Sequence, residues 1–181
     1  ARAAGYHFES AYLQALYVQQ RDALPSWDNP AVYNAAAEKL RAVIRRESEL
    51  AVDLWHLMNR DPRIGFEASN HYFYTEGSLR EKVLNCRYLL DQVFVPVVTQ
   101  ADLEEALRRL GLAAGDLVLV HSSLSSLGRI QNGAAAVVGA FEALLGPQGT
   151  LVFPTLSQQD FVHSYETWHL DKPSDTGAIT E

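Results

Sequence analysis

Cysteine is almost absent: Cys86 is the single one among 181 residues. One thiol cannot close an internal disulfide, which excludes a secreted scaffold stapled by its own bridges. Its neighbours, Leu84-Asn85 and Arg87-Tyr88-Leu89, read as helix, so the thiol is expected to be packed rather than nucleophilic. Long hydrophobic runs are absent too. None reaches the ~18 residues that a membrane helix needs, and no signal peptide opens the sequence. Together these point to a cytoplasmic protein with no membrane partner. No cluster of Lys or Arg forms a basic stripe, and the formal net charge is −7. Affinity for phosphate backbones comes from clustered positive charge, so nucleic acid is not an expected partner. There is no Gly-Lys-Ser or Gly-Lys-Thr of a P-loop, and no metal is expected. Mild acidity suits a polycationic small molecule. Met58 is the single methionine and the first residue is Ala1, so the sequence is expected to be a piece of a longer one at both ends.

What is present divides at about residue 95. The first part is helical in pattern. Leu13, Leu16 and Tyr17 mark a helix over residues 11–21. Two prolines and Ser, Asp and Asn over residues 24–30 break it. Asn29 then suits an N-cap and Pro30 a first helical position. Tyr33, Ala36, Ala37, Leu40, Val43, Ile44, Leu50, Leu54, Leu57 and Met58 recur at three-to-four spacing, with Glu38, Lys39, Arg41, Arg45, Arg46 and Glu49 on the other side. That helix is predicted to run to about Asn59, before Pro62. Residues 63–74 are aromatic and non-periodic, and read as a loop. Glu67, Asn70, His71, Tyr72 and Tyr74 could form a polar site there, although packing is the commoner role of such a His. Ser78-Leu79-Arg80-Glu81 reads as a capping box opening a helix to about Val93.

The second part changes character. Thr99 reads as an N-cap, with Leu103, Ala106, Leu107 and Leu110 as the inner face of a helix that Gly111 ends. Leu117-Val118-Leu119-Val120 is a continuous apolar run, the pattern of a strand buried on both faces. A small-residue helix over residues 134–145 and a second buried strand at residues 150–154 follow. The fold class is therefore α/β. An all-helical amino-terminal segment is followed by a partial α/β sandwich of mostly parallel strands with flanking helices.

Between strand and helix lies His121-Ser122-Ser123-Leu124-Ser125-Ser126-Leu127-Gly128. A loop at the carboxyl end of a strand in an open α/β sheet is a usual ligand site. Free amides there, before a helix amino terminus, favour an anion such as a pyrophosphate. Composition alone favours the other reading, a polar turn whose serines cap helix amides.

Leu117-Val118-Leu119-Val120-His121-Ser122-Ser123-Leu124-Ser125-Ser126-Leu127-Gly128 resembles the acetyl-CoA-binding segment of the aminoglycoside 3-N-acetyltransferases. Gly133 and the helix after it match that family's order. Gly146-Pro147-Gln148-Gly149-Thr150-Leu151-Val152-Phe153-Pro154-Thr155-Leu156-Ser157 is similar to its next strand and Pro-Thr turn. Pro173-Ser174-Asp175-Thr176-Gly177-Ala178-Ile179-Thr180-Glu181 is similar to its Ser-Asp-x-Gly-x-x-x-Glu loop.

The resemblance implies transfer of acetyl from acetyl-CoA to the 3-amino group of a 2-deoxystreptamine aminoglycoside, which confers antibiotic resistance. It implies that His121, Ser122, Ser123, Leu124, Ser125, Ser126, Leu127 and Gly128 line the CoA site, with Thr155 and Ser157 near the pantetheine arm. It implies that Asp175 and Glu181 face the cationic substrate; without the resemblance, an Asx-type cap and a solvated helix start are the preferred roles. The family's catalytic histidine sits in an Arg-Ser-x-His-Pro segment expected beyond Glu181. The catalytic base is therefore unassigned, and none of His121, His163 and His169 is given that role. Residues 1–95 are expected to be a helical segment of unknown function, and residues 96–181 the amino-terminal part of the acetyltransferase domain. Two alternatives stay open: an acetyltransferase with another amine acceptor, or a CoA-binding remnant joined to a helical interaction module.

Overall fold

Three-to-four apolar spacing becomes helix in the first part of the chain, and short β-branched runs become strands in the second. The computed structural model describes residues 2–67, 72–155 and 177–179. These separate into two compact units, Ala1–Pro96 and Val97–Glu181.

The amino-terminal unit is built on α1 (Arg2–Asp22), α2 (Pro30–Arg60) and α3 (Glu76–Tyr88). Asn29 and Pro30 open α2 as expected: the Asn29 side chain accepts from the Val32 amide at 3.4 Å. The stripe Tyr33, Ala37, Leu40, Ile44, Leu50 and Leu54 is buried along α2. Contacts between α1 and α2 run in opposite chain directions. Glu9 meets Arg46, Ser10 meets Glu47, and Leu13 packs with Val43. Those between α2 and α3 do the same: Ala51 and Leu54 pack with Leu79, and Ile44 packs with Cys86. Three helices thus alternate in direction around Leu40, which is fully buried. A side chain so placed contributes about 1.5–3 kcal/mol through removal from water.

Several expectations change here. The first helix starts at Arg2, well before residue 11. Its inward face is thin, with Ser10 and Leu13 as its buried residues, so the apolar period signals half of its length. The capping box of α3 is formed by Thr75 and Ser78 rather than by Ser78 and Glu81. The Ser78 amide donates to Thr75 Oγ1 at 3.1 Å, and the Thr75 amide donates to Ser78 Oγ at 2.9 Å. A hydroxyl at the third helical position returns the bond as well as a carboxylate does, which moves the helix start back to Glu76. The helix reaches Val93 as expected, but its last turn changes type: residues Leu89–Val93 form a π-turn in which the Phe94 amide donates to the Leu89 carbonyl at 2.8 Å. Arg41, read as a solvent-side residue, donates instead to the Leu90 and Phe94 carbonyls that this turn frees. The segment read as a loop contains a 3₁₀ turn at Pro62–Gly65 and two antiparallel strands, β1 (Phe66–Glu67) and β2 (Tyr72–Phe73).

The carboxy-terminal unit holds β3 (Val97–Val98), α4 (Gln100–Arg109), β4 (Leu117–Leu119), β5 (Arg129–Ile130), α5 (Gly133–Leu145) and β6 (Thr150–Val152). Thr99 caps α4, and Asp102 returns the bond to the Thr99 amide at 2.8 Å. β4 pairs parallel with β6, and β3 pairs parallel with β5. The expected helical segment followed by a partial α/β unit is thus observed. Ala136, Val137, Phe141 and Leu145 on α5 form the core with Ile130, and Val118 and Leu151 pack against them. The Phe153 ring meets the Phe141 ring edge to face at 6.4 Å, which ties the end of β6 to the helix.

One expectation about this sheet is corrected. Neither β4 nor β6 is buried on both faces: Leu117 is 77%, Leu119 59% and Val152 41% exposed. Side chains alternate along a strand. Val118 therefore turns to α5, and its neighbours turn to a face that no described layer covers.

Candidate functional site

The Val120 amide donates to the Val152 carbonyl at 2.9 Å, and there the chain leaves the sheet at the carboxyl end of β4. His121, Ser122 and Ser123 follow, all exposed. Leu124–Leu127 is a single 3₁₀ turn. The Ser126 amide closes it on the Ser123 carbonyl at 3.1 Å, and the Ser126 hydroxyl donates to the same carbonyl at 2.7 Å. Ser123 Oγ and Ser125 Oγ share a hydrogen bond of 2.9 Å. Three of the four hydroxyls therefore shape the turn itself, which is the polar-turn half of the expectation.

The amides behave differently. No backbone carbonyl of the described residues accepts from His121, Ser122, Ser123, Leu124 or Ser125. Gly128 then bends the chain at φ 83° and ψ −148°, a conformation that is essentially reserved for glycine. β5 follows at once, and Gln131 donates to the Val98 carbonyl at 2.9 Å. Asn132 and Gly133, at φ 63° and 55°, turn the chain into α5 through two successive left-handed residues. Asn132 makes no side-chain cap, so it leaves the first amides of α5 without one.

Charge adds a signal that the sequence reading passed over. From Leu117 to Phe141 there is no Asp or Glu, in a chain whose net charge is −7. Arg129 lies within that stretch, half-buried. Unpaired amide donors, a helix amino terminus and an acid-free stretch together fit a phosphate-bearing ligand, because each donor gains from a full negative charge. A groove of about 550 Å³ in this unit lies elsewhere: Glu142, Gly146, Pro147 and Gly149 line it, at the carboxyl end of α5.

The remaining expected site residues divide simply. Thr155 is exposed just after β6. Ser157, Asp175 and Glu181 lie outside the described residues, as do His163 and His169. Between Asp175 and Glu181, Ile179 packs against the core of the unit. In the amino-terminal segment, Asn70 and His71 lie outside the described residues. Tyr74 carries a hydrogen bond of 2.6 Å between its hydroxyl and His7 Nδ1. Among the described residues, no three His, Cys, Asp or Glu side chains gather in a way that could hold a metal ion.

Parallel strands joined through a helix define an α/β unit, and its donor-rich turn lies at the carboxyl end of the first strand, where open α/β sheets usually hold their ligands. Comparison with known proteins is more particular. Residues 119–177 match the family model described as aminoglycoside 3-N-acetyltransferase. An aminoglycoside N(3)-acetyltransferase III from a Salmonella species is 46% identical over 54 residues, 30% of this chain and 19% of that protein. A prophage-derived aminoglycoside N(3')-acetyltransferase-like protein, YokD of Bacillus subtilis, is 46% identical over 59 residues, 33% of this chain and 22% of that protein. An aminoglycoside N(3)-acetyltransferase IX of Micromonospora chalcea is 35% identical over 57 residues, 32% of this chain and 20% of that protein. The chain thus spans about a fifth of the length of the curated relatives it matches. The resemblance read from the serine turn and the strands around it holds over that segment. No solved structure matches the chain.

Proposed function

We propose that the carboxy-terminal unit is part of an enzyme that transfers acetyl from acetyl-CoA to an amine, the 3-amino group of a 2-deoxystreptamine aminoglycoside. The observation that carries this reading is the turn over residues 121–128. It lies inside the family match and leaves at least five successive amides without a backbone acceptor among the described residues. In the proposed complex those amides and the start of α5 donate to the CoA diphosphate. A net gain of about 1.5–3 kcal/mol for each bond to a charged group gives several such donors the affinity a cosubstrate needs. The hydroxyls of Ser123, Ser125 and Ser126 hold the turn in place, and Ser122 is left to reach the ligand.

The reaction has a simple balance. A neutral acceptor amine attacks the thioester carbonyl, a base takes the amine proton, the carbon–sulfur bond breaks, and the departing thiolate receives that proton from the base to leave as the CoA thiol. We assign no described residue as that base. Asp175 and Glu181 are proposed to hold the ammonium groups of the substrate, and Thr155 and Ser157 to flank the pantetheine arm. On the same reading the protein acts in the cytoplasm. No helix among the described residues is long and apolar enough to cross a membrane.

Calorimetric titration of the 181-residue chain with CoA, and separately with gentamicin, tests the proposal. Saturable CoA binding is expected, with little or no acetyl transfer when acetyl-CoA and gentamicin are supplied together. A chain that binds no CoA overturns the reading. CoA binding with no gentamicin binding instead favours a different acceptor amine. Robust acetyl transfer overturns the view that the catalytic base lies outside these residues.

A further inference from the structure

The first helix of the amino-terminal unit has a second apolar face, which no described element of that unit covers. Ala4, Phe8, Ala11, Ala15 and Val18 recur along α1 at four-three-four-three spacing, and all are exposed. They make one stripe over about four turns. Gly5, Tyr12 and Gln19 flank it on one side, exposed as well. Phe8 is 72%, Tyr12 64% and Val18 45% exposed. Between Ala4 and Gln19 the one carboxylate is Glu9, and it turns to Arg46 of α2. The buried residues of α1, Ser10 and Leu13, lie on the opposite side, against Glu47 and Val43 of α2. The outer face is thus more apolar than the inner one, which reverses the usual order for a surface helix. Exposed aromatics among small residues, free of charge, are the composition of an interface.

The sizes along the stripe are complementary to themselves. In an antiparallel pair with Phe8 on the partner's Ala15, each large side chain meets a small one. Tyr12 falls on the partner's Ala11, Val18 on the partner's Gly5, and Gln19 on the partner's Ala4. A two-fold axis between positions 11 and 12 repeats every contact. The same register brings Asp22 to within one residue of the partner's Arg2, so opposite charges meet at both ends. A parallel pair stacks Phe8 on its own copy and Ala11 on its own copy, which leaves gaps beside the rings. Aromatic side chains bury ~150–250 Å² each, so Phe8 and Tyr12 together withdraw roughly 250 Å² from water in each copy. With Val18 and the small residues the total approaches about 1,000 Å², the low end of specific interfaces and the range of a reversible dimer.

We propose that α1 is a homodimer surface, on which a second copy of this chain packs antiparallel through Phe8, Tyr12 and Val18. A lipid surface fits the stripe less well, because the chain is acidic and no basic row borders the apolar residues.

Sedimentation equilibrium of the 181-residue chain, up to about 1 mM, tests the proposal. A reversible monomer–dimer equilibrium in the micromolar range is expected. Phe8→Ala and Ala15→Phe should each weaken it about tenfold or more, the first by leaving a hole and the second by a clash with the partner's Phe8. The double variant exchanges large for small within the same pair, and should restore association to near the wild-type value. All the changed residues are exposed, and amide exchange of α1 in the dilute monomer checks that the helix persists in each variant. A chain that stays monomeric throughout overturns the proposal, whether or not it binds phospholipid vesicles. A dimer indifferent to both single changes, an Ala15→Phe that tightens it, or a double variant no better than the weaker single overturns it as well.

Discussion

Replacing Gly128 by alanine isolates backbone conformation from packing. At φ 83° and ψ −148° the residue occupies a region that side chains hardly enter, yet an added Cβ would meet no heavy atom within 4 Å. The penalty is therefore strain and not collision, about 1–3 kcal/mol. Two other glycines make internal controls. At Gly149 an added Cβ would fall 2.6 Å from Leu145 Cβ and 2.9 Å from the Leu145 carbonyl oxygen, so Gly149→Ala must shift backbone and cost at least as much. At Gly5, inside α1, there is open space, and Gly5→Ala should stabilise by about 0.5–1 kcal/mol. The two units need not unfold together, so a global melting curve is the wrong assay. Hydrogen exchange of the α5 amides reports the carboxy-terminal unit, and exchange of the α1 amides reports the other. Gly128→Ala should lower α5 protection by the stated amount and weaken CoA binding further, because the strain can be relieved by letting the serine turn relax. Unchanged α5 protection in Gly128→Ala refutes the backbone argument. Lowered protection with unchanged CoA affinity refutes the placement of the ligand on this turn.

Capping gives the next expectation. Thr75→Ala and Ser78→Ala should each lower the stability of α3 by about 1 kcal/mol, while Glu81→Ala should leave the helix start intact; amide exchange over residues 76–80 separates them. A pH titration follows from Asp102. Hydrogen bonds from Thr99, first its side chain and then its amide, hold the Asp102 carboxyl below its usual range. The folded state therefore favours the ionised form. That stability is present above the unfolded carboxyl value of about 4 and is lost as pH falls through the lower folded value. Asp102 is exposed, so the loss should be a few tenths of a kcal/mol, and Asp102→Asn should remove the pH dependence of α4 exchange.

The elements the sequence discloses best are those where one signal dominates. The long stripe on α2 needs no tertiary knowledge, because ten apolar positions keep one period over more than six turns. Thr99 and Asp102 disclose their cap for the same reason: both groups lie four residues apart at most and satisfy each other locally. Where two local solutions compete, the sequence is less decisive. Thr75-x-x-Ser78 and Ser78-x-x-Glu81 both spell a capping box, and the first is the one used. Arg41 was assigned to solvent by charge alone. The π-turn that leaves the Leu90 and Phe94 carbonyls free lies about fifty residues further along the chain, beyond what local pattern can show.

The same contrast separates the serine turn from the polar cluster around Glu47. The serine turn is a backbone site, and its legibility came from residue order: strand, hydroxyl run, glycine, helix. Order could not tell which hydroxyls would be consumed internally, and three of the four are. The cluster is made of side chains from three helices. One trace of it is visible in one dimension. Glu47 stands three residues after Ile44 and three before Leu50, on the face that every neighbour in the stripe keeps apolar. A charged residue at a position that burial demands must find partners elsewhere in the fold. Here it finds them on α1 and α3, through Ser10 and Lys82, yet they satisfy one oxygen and leave the other bare.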